Sequence, residues 1–248
     1  MQRYFSMEAS GGNRFYLKGG DFHHIVRVMR MNEGAEIICV DPVGKSALCK
    51  IAEITDETVA AEIVKWIEGS SELPVHITIA SGLPKGDKLE WIIQKGTELG
   101  AFQFVPFIAS RSVVKWDDKK SAKKVERWQK IAREAAEQSH RTRVPEICTP
   151  VNIHQLVNES PNYDYKLIAY EEEARQGESS VLASTFSKLG EGESLLVVFG
   201  PEGGLAAEEI ALLKEHGFVP CGLGPRILRT ETAPLYVLSA ASYHFELR

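Results

Sequence analysis

Twice in its last quarter the chain runs from a short apolar segment straight into a cluster of glycine and proline. Leu195 to Phe199 stops at Gly200-Pro201-Glu202-Gly203-Gly204, and a second apolar segment ends at Leu223-Gly224-Pro225. Between them a helical pattern carries Ile210 and Leu213 and halts at Gly217; a last helix is expected from about Thr230. Apolar strands that end in glycine-bearing bends, separated by helices, restrict the fold to an open α/β sheet. In such a sheet, ligands bind at the bends that follow the strand ends.

The rest of the chain fits two domains. Residues 1 to about 70 read as short strands: Arg14 to Leu17, Glu36 to Val40, Ala47 to Ile54 and Val59 to Trp66. Asp21 is expected to cap a brief helix through His23, His24, Val26 and Arg27. Several short strands with little helix predict a small β-barrel. Gly69 to Pro74 is small, polar and ends in proline, so the boundary falls there, giving domains 1–71 and 72–248. Beyond it strands alternate with helices. Strands are expected at Val75 to Ala80, Phe102 to Pro106 and Lys166 to Tyr170, and helices at Asp87 to Leu99, Asp118 to Ser139 and Val181 to Leu189. That alternation predicts a mostly parallel sheet covered on both faces.

With 248 residues, both domains have enough chain for a core. Four widely spaced cysteines, with no CxxC pair, argue for reduced thiols in a cytoplasmic protein and against a zinc site. No apolar run reaches a membrane span, and residues 1–17 do not read as a signal peptide. The net charge of −5 is unevenly spread: +3 over residues 1–30, −6 over 31–110, +6 over 111–145 and −8 over 146–248. Two basic blocks in an acidic protein are the usual footprint of phosphate-backbone binding. For residues 115–133 alone, a solvated helix face is an equally good reading.

The Gly200 to Gly204 bend lacks the Lys-Ser/Thr of a phosphate loop and the spacing of a dinucleotide fingerprint. By itself it is a tight turn. The second bend, Leu223-Gly224-Pro225-Arg226-Ile227-Leu228-Arg229-Thr230-Glu231-Thr232-Ala233, at this separation from the first, resembles the signature of the SPOUT superfamily of RNA methyltransferases, whose carboxy-terminal chain threads a trefoil knot. Three further stretches extend the resemblance. They are His23 to Arg30; Lys85-Gly86-Asp87-Lys88 with Gln94 to Gly100; and Glu134 to Ser139 with Arg141, Arg143 and Pro145. Together they are similar to the small-subunit (16S) ribosomal RNA uracil-N3 methyltransferase family over nearly the whole chain.

The resemblance implies a knotted α/β methyltransferase domain behind an amino-terminal PUA-like barrel, with S-adenosylmethionine as methyl donor and no metal. Carried over by position, the donor site comprises Ala169, Tyr170, Gly200, Glu202, Gly203, Gly204, Leu223, Gly224, Ile227 and Leu228. The residue types suit the task. Leu223, Ile227 and Leu228 can sandwich a flat purine, and glycines allow main-chain hydrogen bonds at close approach. Methylation at N3 requires loss of a proton. Arg229 is the candidate to stabilise the resulting anion and Glu231 the candidate base, although a first-turn helix carboxylate explains Glu231 equally simply. RNA contacts are expected from His23, His24, Arg27 and Arg30, from Arg111 and Lys115, and from Arg141 and Arg143. The resemblance also implies a homodimer, consistent with a last helix that is apolar on most sides: Leu235, Tyr236, Leu238, Tyr243 and Phe245. Methylation of another RNA or of a ribose hydroxyl, and a non-catalytic RNA-binding scaffold, are the competing readings.

Overall fold

A computed structural model describes residues 1–6, 8, 12–112, 118–172 and 180–248. The chain forms two compact units: residues 1–72 with 136–143, and residues 73–135 with 144–248.

In the first unit, among the described residues, five strands form one sheet in the order β1 (Arg3–Phe5), β3 (Glu36–Val40), β4 (Ser46–Ile54), β5 (Thr58–Ile67), β2 (Arg14–Lys18). β1 runs parallel to β3; the other pairs are antiparallel. Alternation puts one side chain in two on a common inner face. Tyr4, Phe15, Leu17, Ile37, Cys39, Cys49, Ile51, Val59 and Ile63 meet there in one core with Ile25. Register shifts at Leu48/Cys49 and Ile51/Glu53 bend the long β4–β5 pair, which lets the sheet curl round that core. The expected short helix is α1 (Gly19–His23), continued by a π-helical turn, His24–Val28. Asp21 lies inside its first turn rather than at the cap. The exit of that turn passes through Arg30 at φ +51°, a left-handed backbone rare for a side chain of that size.

Residues 136–143, which the expected boundary gives to the second domain, group with the first unit. They are held in the first unit by Glu72. Its carboxylate accepts the backbone N–H of Thr142 (2.8 Å) and of Arg143 (3.1 Å) and the guanidinium of Arg141. Arg3 adds a bond from Nη1 to the Arg141 carbonyl at 2.8 Å. Arg141, expected on the RNA surface, is only 2% exposed. Its cation is neutralised internally, so it is corrected here to a structural role.

In the second unit, seven described strands form a parallel sheet in the order β12 (Val219–Cys221), β10 (Tyr165–Ala169), β11 (Ser194–Phe199), β6 (His76–Gly82), β7 (Gln103–Ile108), β8 (Glu146–Ile147), with β9 (Val151–Asn152) also on β7. Both faces are covered, as near-continuous apolar strands require. Leu195, Val197 and Phe199 point to one face, against α2 (Lys88–Glu98), α3 (Asp118–Gln138), α5 (Val181–Lys188) and α7 (Thr232–Glu246). Leu196 and Val198 point to the other, against α4 (Ile153–Glu159) and α6 (Ala207–Glu215). α7 buries Pro234, Val237, Leu238 and Ala241, one helical stripe, and packs on α2.

Register fixes what gathers at the carboxyl edge. Ala169 pairs with Phe199 and with Cys221, and Phe199 pairs with Ser81. The segments following β10, β11, β12 and β6 therefore leave the sheet side by side. Strand order reverses between β6 and β11, the usual ligand position in open α/β sheets, and the ends of β10 and β12 lie next to that position on one side.

Candidate functional site

The bend after β12 and the end of β10 enclose a cleft. It is lined by Ala169, Tyr170 and Glu171 on one side and by residues 223–228 with Ala233 on the other, and it opens to solvent. The Tyr170 N–H donates to the Cys221 carbonyl at 3.0 Å and ties the two walls together at their root. Gly224 stands at φ +87°, which turns the chain back over the cleft; an L side chain there is strained. Ile227 is 67% exposed although it is large and apolar. An aliphatic side chain held open to solvent above a cleft is suited to covering a flat aromatic ligand. The sequence-derived residues Ala169, Tyr170, Leu223, Gly224, Ile227 and Leu228 thus come together.

Gly200 to Gly204 do not line that cleft. They form a tight bend beside β6: a Cβ on Gly82 would lie 2.6 Å from Pro201 Cδ and 2.8 Å from Pro201 N, so the two strand ends touch backbone to backbone. The bend is held from three directions. Arg111 Nη1 donates to the Gly203 carbonyl at 3.1 Å and braces the bend, while the residue itself stays exposed. Glu209, buried in the first turn of α6, accepts from the Ala206 N–H (2.8 Å), the Ser110 N–H (2.8 Å) and the Ser110 hydroxyl (3.0 Å). Glu202 accepts from Lys88 Nζ at 2.9 Å and from the Lys85 N–H at 3.1 Å.

Lys88 is the site residue that sequence reasoning did not single out. Its ammonium also lies 3.4 Å from Glu231 Oε2 and so joins the two bends. That contact is an ion pair without hydrogen-bond alignment, since Glu231 Oε2 is sealed from solvent and has no hydrogen-bond partner. The hydrogen bond to Glu202 holds the Lys88 ammonium above its ordinary range; burial opposes it and the charges of Glu202 and Glu231 add to it. Burial pushes the Glu202 carboxyl up, but the hydrogen bonds from Lys88 and the Lys85 N–H outweigh it and hold the group below the usual carboxylate range. A depressed folded value means that the stabilisation from this joint is complete above the ordinary range and is lost as pH falls through the depressed value.

Arg229 is exposed where the second bend enters α7, and its carbonyl accepts from the Thr232 and Ala233 N–H groups at 2.9 and 3.0 Å. Glu231 is the N-cap residue of α7, without a side-chain capping bond. Among described residues, no cluster of His, Cys, Asp or Glu could hold a metal ion, and no helix is long and apolar enough to cross a membrane. All four cysteines are free thiols. In the first unit His23, Arg27 and Arg30 are exposed. His24 is half-buried, with Nδ1 3.0 Å from the Tyr4 hydroxyl, and serves the core. Arg143 is exposed, and Lys115 lies outside the described residues.

Residues 71–242 match the model of an RNA methyltransferase domain, and residues 17–64 match that of an RNA methyltransferase PUA domain. A ribosomal RNA small subunit methyltransferase E of Bacillus subtilis is 53% identical over 251 aligned positions, covering 100% of this chain and 98% of the relative. Among solved structures, a ribosomal RNA small subunit methyltransferase E from Neisseria gonorrhoeae, bound to S-adenosyl methionine, superposes with a TM-score of 0.83 at 29% identity, covering 98% of this chain and 97% of that one. A Legionella pneumophila putative methyltransferase, in complex with the bound cofactor SAM, superposes with a TM-score of 0.82 at 32% identity, covering 97% and 96%. With both of its units matched and its full length shared with such relatives, the chain belongs to the RNA methyltransferase family of the ribosomal RNA small subunit methyltransferase E proteins.

Proposed function

We propose that this protein is a cytoplasmic S-adenosylmethionine-dependent methyltransferase acting on N3 of a uridine in 16S ribosomal RNA of the small subunit. The observation that carries the reading is the cleft between Ala169–Tyr170 and Leu223–Leu228, built at the carboxyl edge of the sheet in a chain of this family. The residues fit the donor. Leu223, Ile227 and Leu228 offer apolar walls to a purine, and the bend at Gly224 leaves main-chain groups close to it. When bound, S-adenosylmethionine supplies an electrophilic methyl on a sulfonium. The chain's own task is alignment, proton removal and charge stabilisation, of which alignment alone can contribute up to about 7–11 kcal/mol.

Uridine N3 becomes a nucleophile once its proton leaves and negative charge spreads onto the ring carbonyls. Arg229, exposed at the start of α7, is assigned to that charge, its fork suiting a carbonyl oxygen. Glu231, two residues on, is assigned as proton acceptor, with Lys88 Nζ 3.4 Å from its Oε2. We read the passage from the second bend into α7 as the threading of a trefoil knot, as in the SPOUT resemblance.

The first unit supplies cationic surface for the RNA through Arg27 and Arg30, with Arg143, and His23 offers an exposed imidazole that can stack on a base. Replacing both Arg27 and Arg30 with Ala should flatten the salt dependence of RNA binding by about 0.7–0.9 per lost phosphate contact on a log–log plot; an unchanged slope removes them from the RNA surface. The protein is also read as a homodimer. Tyr236 and Tyr243, seven residues apart on one face of α7, and Trp91 on the adjoining α2 are all exposed, the pattern of an apolar surface awaiting a second copy. Sedimentation should give twice the 27.5 kDa chain mass, and Tyr236→Glu with Tyr243→Glu should give the monomer; an unaltered assembly would exclude this face.

The activity is tested by incubating the protein with S-adenosylmethionine and unmethylated small subunits, then digesting the RNA to nucleosides. One 3-methyluridine in 16S RNA is expected. A 2′-O-methyl product, or methylation of transfer RNA alone, overturns the reading.

A further inference from the structure

Three segments distant in sequence meet at one ammonium group. Lys88 opens α2, just after β6; Glu202 sits in the bend after β11; Glu231 caps α7. Lys88 Nζ is 2.9 Å from the first carboxylate and 3.4 Å from the second. Two anions share one cation, so removing the cation leaves two like charges facing each other. The burden falls unequally. Glu202 keeps the Lys85 N–H, whereas Glu231 Oε2 is closed off from water with no hydrogen bond. Without Lys88 no hydrogen bond among the described residues offsets the desolvation of that oxygen, and the Glu231 side chain is expected to turn outward.

We propose that Lys88 is a positioning residue for methyl transfer: through Glu202 and Glu231 it locks the Gly200–Gly204 bend to the start of α7 and holds the Glu231 carboxylate in one place. The inference rests on the assignment of Glu231 as proton acceptor. Lys88 does not line the cleft, so its effect passes through the two carboxylates. A residue acting in this way affects rate more than donor affinity, because a misplacement of about 1 Å at a reacting group costs on the order of 100-fold.

The test compares Lys88→Met, Lys88→Arg, Glu231→Gln and the Lys88→Met/Glu231→Gln pair in the full-length protein. In the cofactor-free protein, amide hydrogen exchange of Lys88→Met should accelerate at residues 200–205 and 229–233 while β6 and β11 keep wild-type protection, which also certifies the fold. Turnover should fall about 10- to 100-fold with the S-adenosylmethionine Kd, from calorimetry, within about threefold of wild type. Lys88→Arg should recover most of both losses. In the Glu231→Gln background, adding Lys88→Met should cost less than about twofold, as expected of residues acting as one unit. Wild-type exchange at both bends, equal losses of rate and donor affinity, or a full further loss on top of Glu231→Gln would overturn the proposal. Failure of the wild-type protein to methylate uridine would instead strike the functional reading, and the exchange measurement would still decide whether Lys88 locks the bends.

Discussion

Arg229→Ala lowers the turnover of methyl transfer by about 100- to 1,000-fold, the usual cost of losing one donor to a developing anion, and leaves S-adenosylmethionine affinity within about threefold. The argument is one of position. The cleft wall runs from Leu223 to Leu228 and resumes at Ala233, so the Arg229 side chain is not part of it. The Arg229 carbonyl holds the first turn of α7 through Thr232 and Ala233, and alanine preserves those bonds. What disappears is an exposed guanidinium two residues before Glu231 in the chain. Steady-state rates on small subunits, set beside calorimetry with the donor, separate the two effects. Equal loss of rate and donor affinity would move Arg229 into the donor pocket.

Glu72→Ala destabilises the first unit by about 3–5 kcal/mol, the cost of removing one partner from a buried ion pair. The side chain of Arg141 is 3% exposed and that of Glu72 20%, so solvent screens the pair little. Alanine removes the carboxylate from the buried Arg141 guanidinium and from the N–H groups of Thr142 and Arg143. Glu72→Gln keeps part of the acceptor set and should fall between the two. Urea unfolding followed through Trp66, which lies in this unit, reads the change; a loss below about 1 kcal/mol would mean that the pair behaves as a surface bridge.

The same pair shows where sequence reasoning stops. Both bends were legible because glycine and proline act locally: Gly224 needs its φ of +87° whatever surrounds it, and the apolar runs that precede the bends are strands by composition. The two-faced sheet was legible for the same reason, since the run Leu195–Phe199 has no polar face to expose. Arg141 was not legible. A lone arginine after a charged helix reads as a surface cation, and its partner lies 69 residues upstream. Lys88 sat in a quoted motif, yet its role depends on Glu202, 114 residues away, and on Glu231. The strands Glu146–Ile147 and Val151–Asn152 are two residues each, too short to carry any periodicity. The bond from Arg111 to the Gly203 carbonyl was not legible either, because only the folded sheet edge brings residues 92 apart within reach.

The account turns on one pocket for the adenosyl group. A crystal structure of the protein with S-adenosylhomocysteine, the demethylated product, measures it directly. The account predicts the adenine between Ala169–Tyr170 and Leu223–Leu228 beneath Ile227, with the sulfur directed toward Arg229 and Glu231. An adenosyl group bound elsewhere, or no binding at millimolar concentration, would contradict it.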